Sequence, residues 1–236
     1  MSLLYKAYAA LSSGAFVAGL PPFWLYTRLT GRFRRGLRER LGLFPIQELQ
    51  RGRPSNRVWI HAASLGEVRV ARSITNQLEK SVPGCNVVLS TNTDHGHDLA
   101  QKLFDPDSVF YAPLDFLPSV RKALSAVNPE VMVFLETELW PTWISEAQRK
   151  GIRIALVHGR ISGRSIGKYL AFRSLFREVL QHVNAFSMIT EEDARRIVAM
   201  GADPGRVTVN GNAKQDLLAS QADPVIEPVG QADAIQ

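Results

Sequence analysis

Apolar positions along this chain fall into short runs, separated by longer stretches in which they recur at helical spacing. The runs are Val58 to Ala62, Asn86 to Ser90, Val109 to Tyr111, Val131 to Leu135, Ile152 to Val157, Ala185 to Ile189 and Val207 to Val209. Between most of them lie amphipathic segments: Val68 to Lys80, Leu117 to Val127, Leu139 to Lys150, Gly167 to Gln181 and Glu191 to Met200. Apolar strands alternating with helices predict βαβ units and so an α/β fold, a doubly wound, Rossmann-like parallel sheet with helices on both faces. Ligands of such sheets bind outside the carboxyl ends of the strands, so the residues just after each run are the place to look for chemistry.

The chain begins differently. Ala7 to Thr27 is an uncharged run of 21 residues. As a helix it would be about 31 Å long, close to the hydrocarbon thickness of a bilayer. Ser12, Ser13, Gly14 and Gly19 dilute it, and Pro21-Pro22 interrupt it, so an anchor lying in the membrane interface competes with a spanning helix. A signal peptide and a plain buried helix also remain open. The arginines that follow mark that flank as cytoplasmic and argue against export.

Charge sharpens this picture. Residues 1–60 hold ten of the 28 Lys and Arg but only two of the 22 Asp and Glu, so the net charge of +6 belongs to the N-terminal region. Beyond it the chain is slightly acidic. A nucleic-acid-binding domain would carry its positive stripe on the fold itself, so nucleic acid is not an expected partner. The single cysteine, Cys85, excludes an internal disulfide and a paired-cysteine metal site. Length and a hydrophobic content of 45% suit one domain with a full core plus a small appendage. The tail from residue 218 to 236 loses all periodicity and reads as a linker or a disordered tail.

Four strand ends carry candidate chemistry. After the first run, Ser64-Leu65-Gly66-Glu67 reads either as a capping box, with Ser64 as N-cap and Glu67 at N3, or as a general base beside a glycine that lets a substrate approach. After the second, Thr91 to Asp98 includes His95 and His97. A polar loop capping the next helix is preferred there to a metal site, because His61 and His158 lie far away in sequence. After Leu135 come Glu136 and Glu138, two carboxylates where one would suffice to cap a helix. After Val157, Arg160, Ser162 and Arg164 alternate with glycines, which suits an anionic group or a solvated loop.

Together with Arg38-Glu39-Arg40-Leu41-Gly42 and Asn210-Gly211-Asn212-Ala213-Lys214, these motifs resemble, in order from about residue 5 to residue 217, the lipid A 3-deoxy-D-manno-octulosonic acid (Kdo) transferase family. Two positions depart from its pattern: the Thr-rich loop ends in His95-Gly96, and Thr142 stands where an Asn is usual. The resemblance implies the N-terminal half of a GT-B glycosyltransferase. Residues 1–50 would form a membrane anchor with a basic amphipathic segment, residues 51–217 the acceptor domain and residues 218–236 a linker or disordered tail, the chain being a truncated half from which the CMP-binding donor domain is missing. It implies transfer of Kdo from CMP-Kdo to the lipid A precursor at the cytoplasmic face of the inner membrane, with no cofactor or metal. Glu67 would be the base, Glu136 and Lys214 would stabilise the transition state, and Ser64, Gly66, Glu138, Arg160, Ser162 and Arg164 would contact the acceptor.

Two other classes compete. One is a non-catalytic membrane-anchored lipid-binding module. The other is a nucleotide-dependent oxidoreductase, which calls for a G-x-G-x-x-G after the first strand, and only Ser64 to Glu67 stands there.

Overall fold

A computed structural model describes residues 3–30, 35–43 and 56–212. Seven strands form one parallel sheet in the order β3-β2-β1-β4-β5-β6-β7. They are β1 (Arg57–His61), β2 (Asn86–Thr91), β3 (Val109–Tyr111), β4 (Val131–Leu135), β5 (Arg153–Gly159), β6 (Ala185–Met188) and β7 (Val207–Val209). The chain runs outward from β1 to β3, then crosses to β4 and continues the other way. The sheet direction therefore reverses between β1 and β4, where Val58 pairs with Val87 on one side and Val131 on the other.

Side-chain alternation along the strands builds two cores. Trp59, Met132 and Phe134 point to one face, while Ile60, Val133 and Leu135 point to the other. On the second face lie α3 (Leu65–Ser81) and α4 (Asp94–Leu103), through Val68, Ala71 and Ala100. On the first lie α5 (Leu117–Val127), α6 (Pro141–Arg149), α7 (Gly163–Ala171), α8 (Arg173–Leu180) and α9 (Glu191–Met200), the deepest contacts coming from Leu124, Ile144, Val179 and Ile197. This is the doubly wound, Rossmann-like arrangement expected from the hydrophobic pattern. The segment 167–181 divides at Phe172, which is 65% exposed, so one expected helix is two.

Helix α1 (Leu3–Thr30) is assigned through Pro21 and Pro22 and is about 42 Å long. Its first turns dock on the body. Tyr5 and Ala9 are buried, the Tyr8 hydroxyl donates to Asp115 Oδ2 at 2.8 Å, and Phe16 stacks on Phe116 at 4.4 Å between centroids. Further along, Val17, Trp24, Leu25 and Leu29 are exposed. The helix is long and apolar enough to cross a membrane, by length and composition.

The described part of the basic segment, with the short helix α2 (Leu37–Arg40), packs on the carboxyl ends of β2 and β3. Arg40 is buried, lies over the Tyr111 ring at 4.6 Å and donates to the Asn92 carbonyl at 2.6 Å, while its own carbonyl accepts from Ser119 Oγ. Gly36, at φ +66°, has the Tyr111 ring where a Cβ would project, so no other residue fits.

Candidate active site

The strand order reverses between β1 and β4, and the crevice outside the carboxyl ends of the strands at such a reversal is where sheets of this topology place ligands. Ser64 is the N-cap of α3, and its hydroxyl oxygen accepts from the Glu67 N–H at 3.4 Å while its O–H donates to Glu67 Oε1 at 2.7 Å. Glu67 Oε2 accepts from the Ala63 N–H at 2.9 Å. The capping geometry expected from Ser64 to Glu67 is therefore present, displaced by one residue on the backbone side. Glu67 is 5% exposed, and burial pushes its carboxyl above the usual glutamate range. Ser64 and Ala63 oppose that shift, and the charges of Glu136 and Glu138 add to it. Gly66 follows in the first turn, half-exposed.

At the end of β4 neither carboxylate caps α6, whose N-cap is Trp140 with no side-chain bond and whose first residue is Pro141. Glu136 sits in left-handed backbone at φ +53°, uncommon for a residue with a Cβ, with its Oε1 3.9 Å from His158 Nδ1. Glu138 Oε2 accepts from the Trp140 indole N–H at 2.6 Å and lies 3.6 Å from His61 Nε2. Burial alone would raise the Glu138 carboxyl; His61 and Trp140 outweigh it and hold the group below the usual range. One crevice thus has a carboxyl pushed up and another held down, the separation from which acid–base roles are made.

β5 contributes the third wall. His158, at φ +56°, is buried, with Nε2 2.9 Å from Asn212 Oδ1 just beyond β7. The Arg160 carbonyl accepts from Thr137 Oγ1 at 2.7 Å, tying this loop to that of β4. The Arg160 and Arg164 side chains are exposed, and Ser162 serves as N-cap of α7, accepting from the Ser165 N–H. The loop is latched from α9: buried Asp193 accepts from the Ile161 N–H at 2.8 Å and from Thr190 Oγ1, and Arg196 donates to the Ile161 carbonyl. Asp193→Ala leaves the Ile161 N–H buried without a partner and removes part of a cap. A loss of about 1–3 kcal/mol is expected in urea unfolding, while Asp193→Asn should retain much of it. From β2, Thr93 caps α4, and the first turn of α4 abuts α3, since a Cβ on Gly96 would lie 2.8 Å from Thr93 Oγ1 and 3.5 Å from Leu65 N.

The structure therefore brings Ser64, Glu67, Glu136 and Glu138 to one crevice, places Arg160, Ser162 and Arg164 on the adjoining loop, and leaves Lys214 outside the described residues. Sequence reasoning missed His61, Trp140 and His158. The available signal was that each imidazole ends or nearly ends an apolar strand.

Residues 35–217 match the family model described as 3-deoxy-D-manno-octulosonic-acid transferase (kdotransferase). The chain belongs to this family. It is 30% identical over 203 residues to a 3-deoxy-D-manno-octulosonic acid transferase of Chlamydophila psittaci, covering 85% of this chain and 46% of that protein. It is 29% identical to one from Haemophilus influenzae, covering 79% and 43%. A bifunctional glycosyltransferase/methyltransferase of Fusobacterium nucleatum is 35% identical over 66% of this chain and 25% of its own length. The chain thus spans less than half the length of these relatives. Among solved structures, the UDP-GlcNAc 2-epimerase from Neisseria meningitidis bound to UDP-GlcNAc superposes with a TM-score of 0.51 at 10% identity over 70% of this chain and 49% of that one. The S. aureus MnaA-UDP structure gives 0.52 at 13%, over 74% and 50%. At such identities this likeness concerns the fold.

Proposed function

We propose that this chain forms the acceptor side of a Kdo transfer from CMP-Kdo to the lipid A precursor in lipopolysaccharide synthesis. The observation that carries the reading is the switch-point crevice, where Glu67, with its raised carboxyl, interacts with the charges of Glu136 and Glu138. In this scheme an acceptor hydroxyl attacks the anomeric carbon of Kdo as the bond to CMP breaks, with inversion, and the hydroxyl proton passes to Glu67. A base pushed up toward neutrality accepts that proton more readily than an ordinary glutamate. The Ser64 O–H and Ala63 N–H fix the orientation of the Glu67 carboxylate, and each of its oxygens keeps a further lone pair for the incoming hydroxyl. Glu136 offsets positive charge developing on the sugar, and Lys214 offsets negative charge on the donor. Ser64, Gly66, Glu138, Arg160, Ser162 and Arg164 contact the acceptor and its anionic groups. The scheme calls for no metal or cofactor.

In the same proposal residues 1–50 hold the domain to the cytoplasmic face of the inner membrane, residues 51–217 are the acceptor domain, and residues 218–236 are a linker or disordered tail. The exposed Trp24, Leu25 and Leu29, followed by the arginine cluster, support this reading. The full chain is expected to float with liposomes containing anionic lipid at physiological salt; recovery in the lipid-free fraction contradicts the anchor.

The occupied carboxylate of Glu67 also suits a non-catalytic lipid-binding module. Incubating the chain with the tetraacyl precursor, CMP-Kdo and the C-terminal half of a relative separates the two. Formation of Kdo-bearing lipid supports transfer, and precursor binding without product supports the module.

A further inference from the structure

The crevice contains a buried imidazole that the transfer scheme leaves idle. We propose that His61 is a positioning residue, holding Glu138 ionised and turned into the crevice, where that carboxylate accepts hydrogen bonds from hydroxyls of the sugar acceptor. The acceptor contact rests on the function proposed above; the hold on Glu138 does not.

His61 ends β1 and is fully buried, in contact with the rings of Trp143 at 5.1 Å, Phe134 at 6.3 Å and Trp140 at 6.4 Å between centroids. Its Nδ1 lies 2.9 Å from Ser90 Oγ, which also receives the Trp59 indole N–H at 2.8 Å. An indole can only donate, so we assign the Ser90 hydroxyl proton to His61 Nδ1 and the ring proton to Nε2. The buried relay Trp59, Ser90, His61 thereby ends in an N–H aimed at Glu138. The separation of 3.6 Å is longer than a formed hydrogen bond and short enough for direct electrostatic attraction.

The Trp140 hydrogen bond and the His61 Nε2 both converge on Oε2, and among the described residues this leaves Oε1 for a ligand. Among the described residues, the other titratable groups within reach of Glu138 are Glu67 from α3 and Tyr169 from α7, and its negative charge raises both. A buried imidazole with one nitrogen satisfied and the other directed at a carboxylate is costly unless that second contact is used.

The test follows the Glu138 carboxyl carbon by 13C NMR across pH in the full chain, with Glu138→Gln to assign the signal. The wild-type midpoint is expected below that of an ordinary glutamate. His61→Phe keeps a buried ring without an N–H and should move the midpoint up by about one pH unit or more. His61→Gln, whose amide reaches about as far as Nε2, should bring it back down. His61→Asn can meet Ser90 but stops short of Glu138, and should resemble Phe. A midpoint unchanged in every folded variant, or Asn and Gln behaving alike, overturns the hold on Glu138. Should the Phe variant fail to fold, the Asn and Gln pair decides. Binding of the tetraacyl lipid A precursor is expected to weaken about tenfold in Phe or Asn relative to Gln; equal binding overturns the acceptor contact. If wild type itself binds no precursor, the functional reading fails while the titration result stands.

Discussion

Glu67→Gln is expected to lower the rate of Kdo transfer by about 100- to 10,000-fold, the usual range for loss of a general base, with little change in melting temperature. The substitution separates two roles that the structure shows in one side chain. A glutamine carbonyl can still accept from the Ala63 N–H, and its amide can donate to Ser64 Oγ, so the start of α3 survives. What it cannot do is take a proton. The assay pairs the chain with the donor half of a relative and reads product formation beside thermal unfolding. Because burial pushes the Glu67 carboxyl up, the acid limb of the wild-type profile for kcat/KM should lie above the ordinary glutamate range, with activity lost as pH falls through it and Glu67 becomes protonated. A glutamine enzyme retaining most of its turnover would leave Ser64 to Glu67 as a helix start and nothing more.

The largest effect on stability is expected from Trp143→Ala, at about 3–5 kcal/mol. Trp143 is 1% exposed and has ring neighbours on β1 and β4, with centroids 5.0 Å from Trp59 and 5.8 Å from Phe134. Its removal opens a cavity under the switch point and releases one wall of the His61 cage. Chemical denaturation should show the loss as a lower midpoint. Trp143→Phe should cost far less, because among the described residues the indole nitrogen has no hydrogen-bond partner to lose. Equal losses for Phe and Ala would mean that ring volume is not what holds the crevice floor.

The sheet was legible because its strands are buried on both faces and so form unbroken apolar runs. Val131 to Leu135 could be placed to the residue. The break at Phe172 was not legible, since Gly167 to Gln181 keeps one helical period across it and only tertiary packing distinguishes the two helices. β5 runs on through Gly159 past a register irregularity against β6 that no periodicity announces. For the site, Glu67, Glu136 and Glu138 were legible as carboxylates where the chain leaves a strand. His61 and His158 were not, because separation in sequence was taken for separation in space. Strand order removes that separation: β1 and β5 both flank β4, although about seventy residues divide β1 from β4. The left-handed backbone at Glu136 and His158 was also invisible, since neither residue type announces it.

In the function proposed above, the crevice between β1 and β4 receives the sugar acceptor. The most direct test of this is a titration of the detergent-solubilised full chain, 13C-labelled at glutamate carboxyls, with the tetraacyl lipid A precursor. Saturable shifts of the Glu67, Glu136 and Glu138 signals are expected on a single binding curve, with Glu146, ion-paired to Arg121 and Arg149, unmoved. Saturable binding that leaves those three carboxyls unchanged would place the acceptor elsewhere and contradict it.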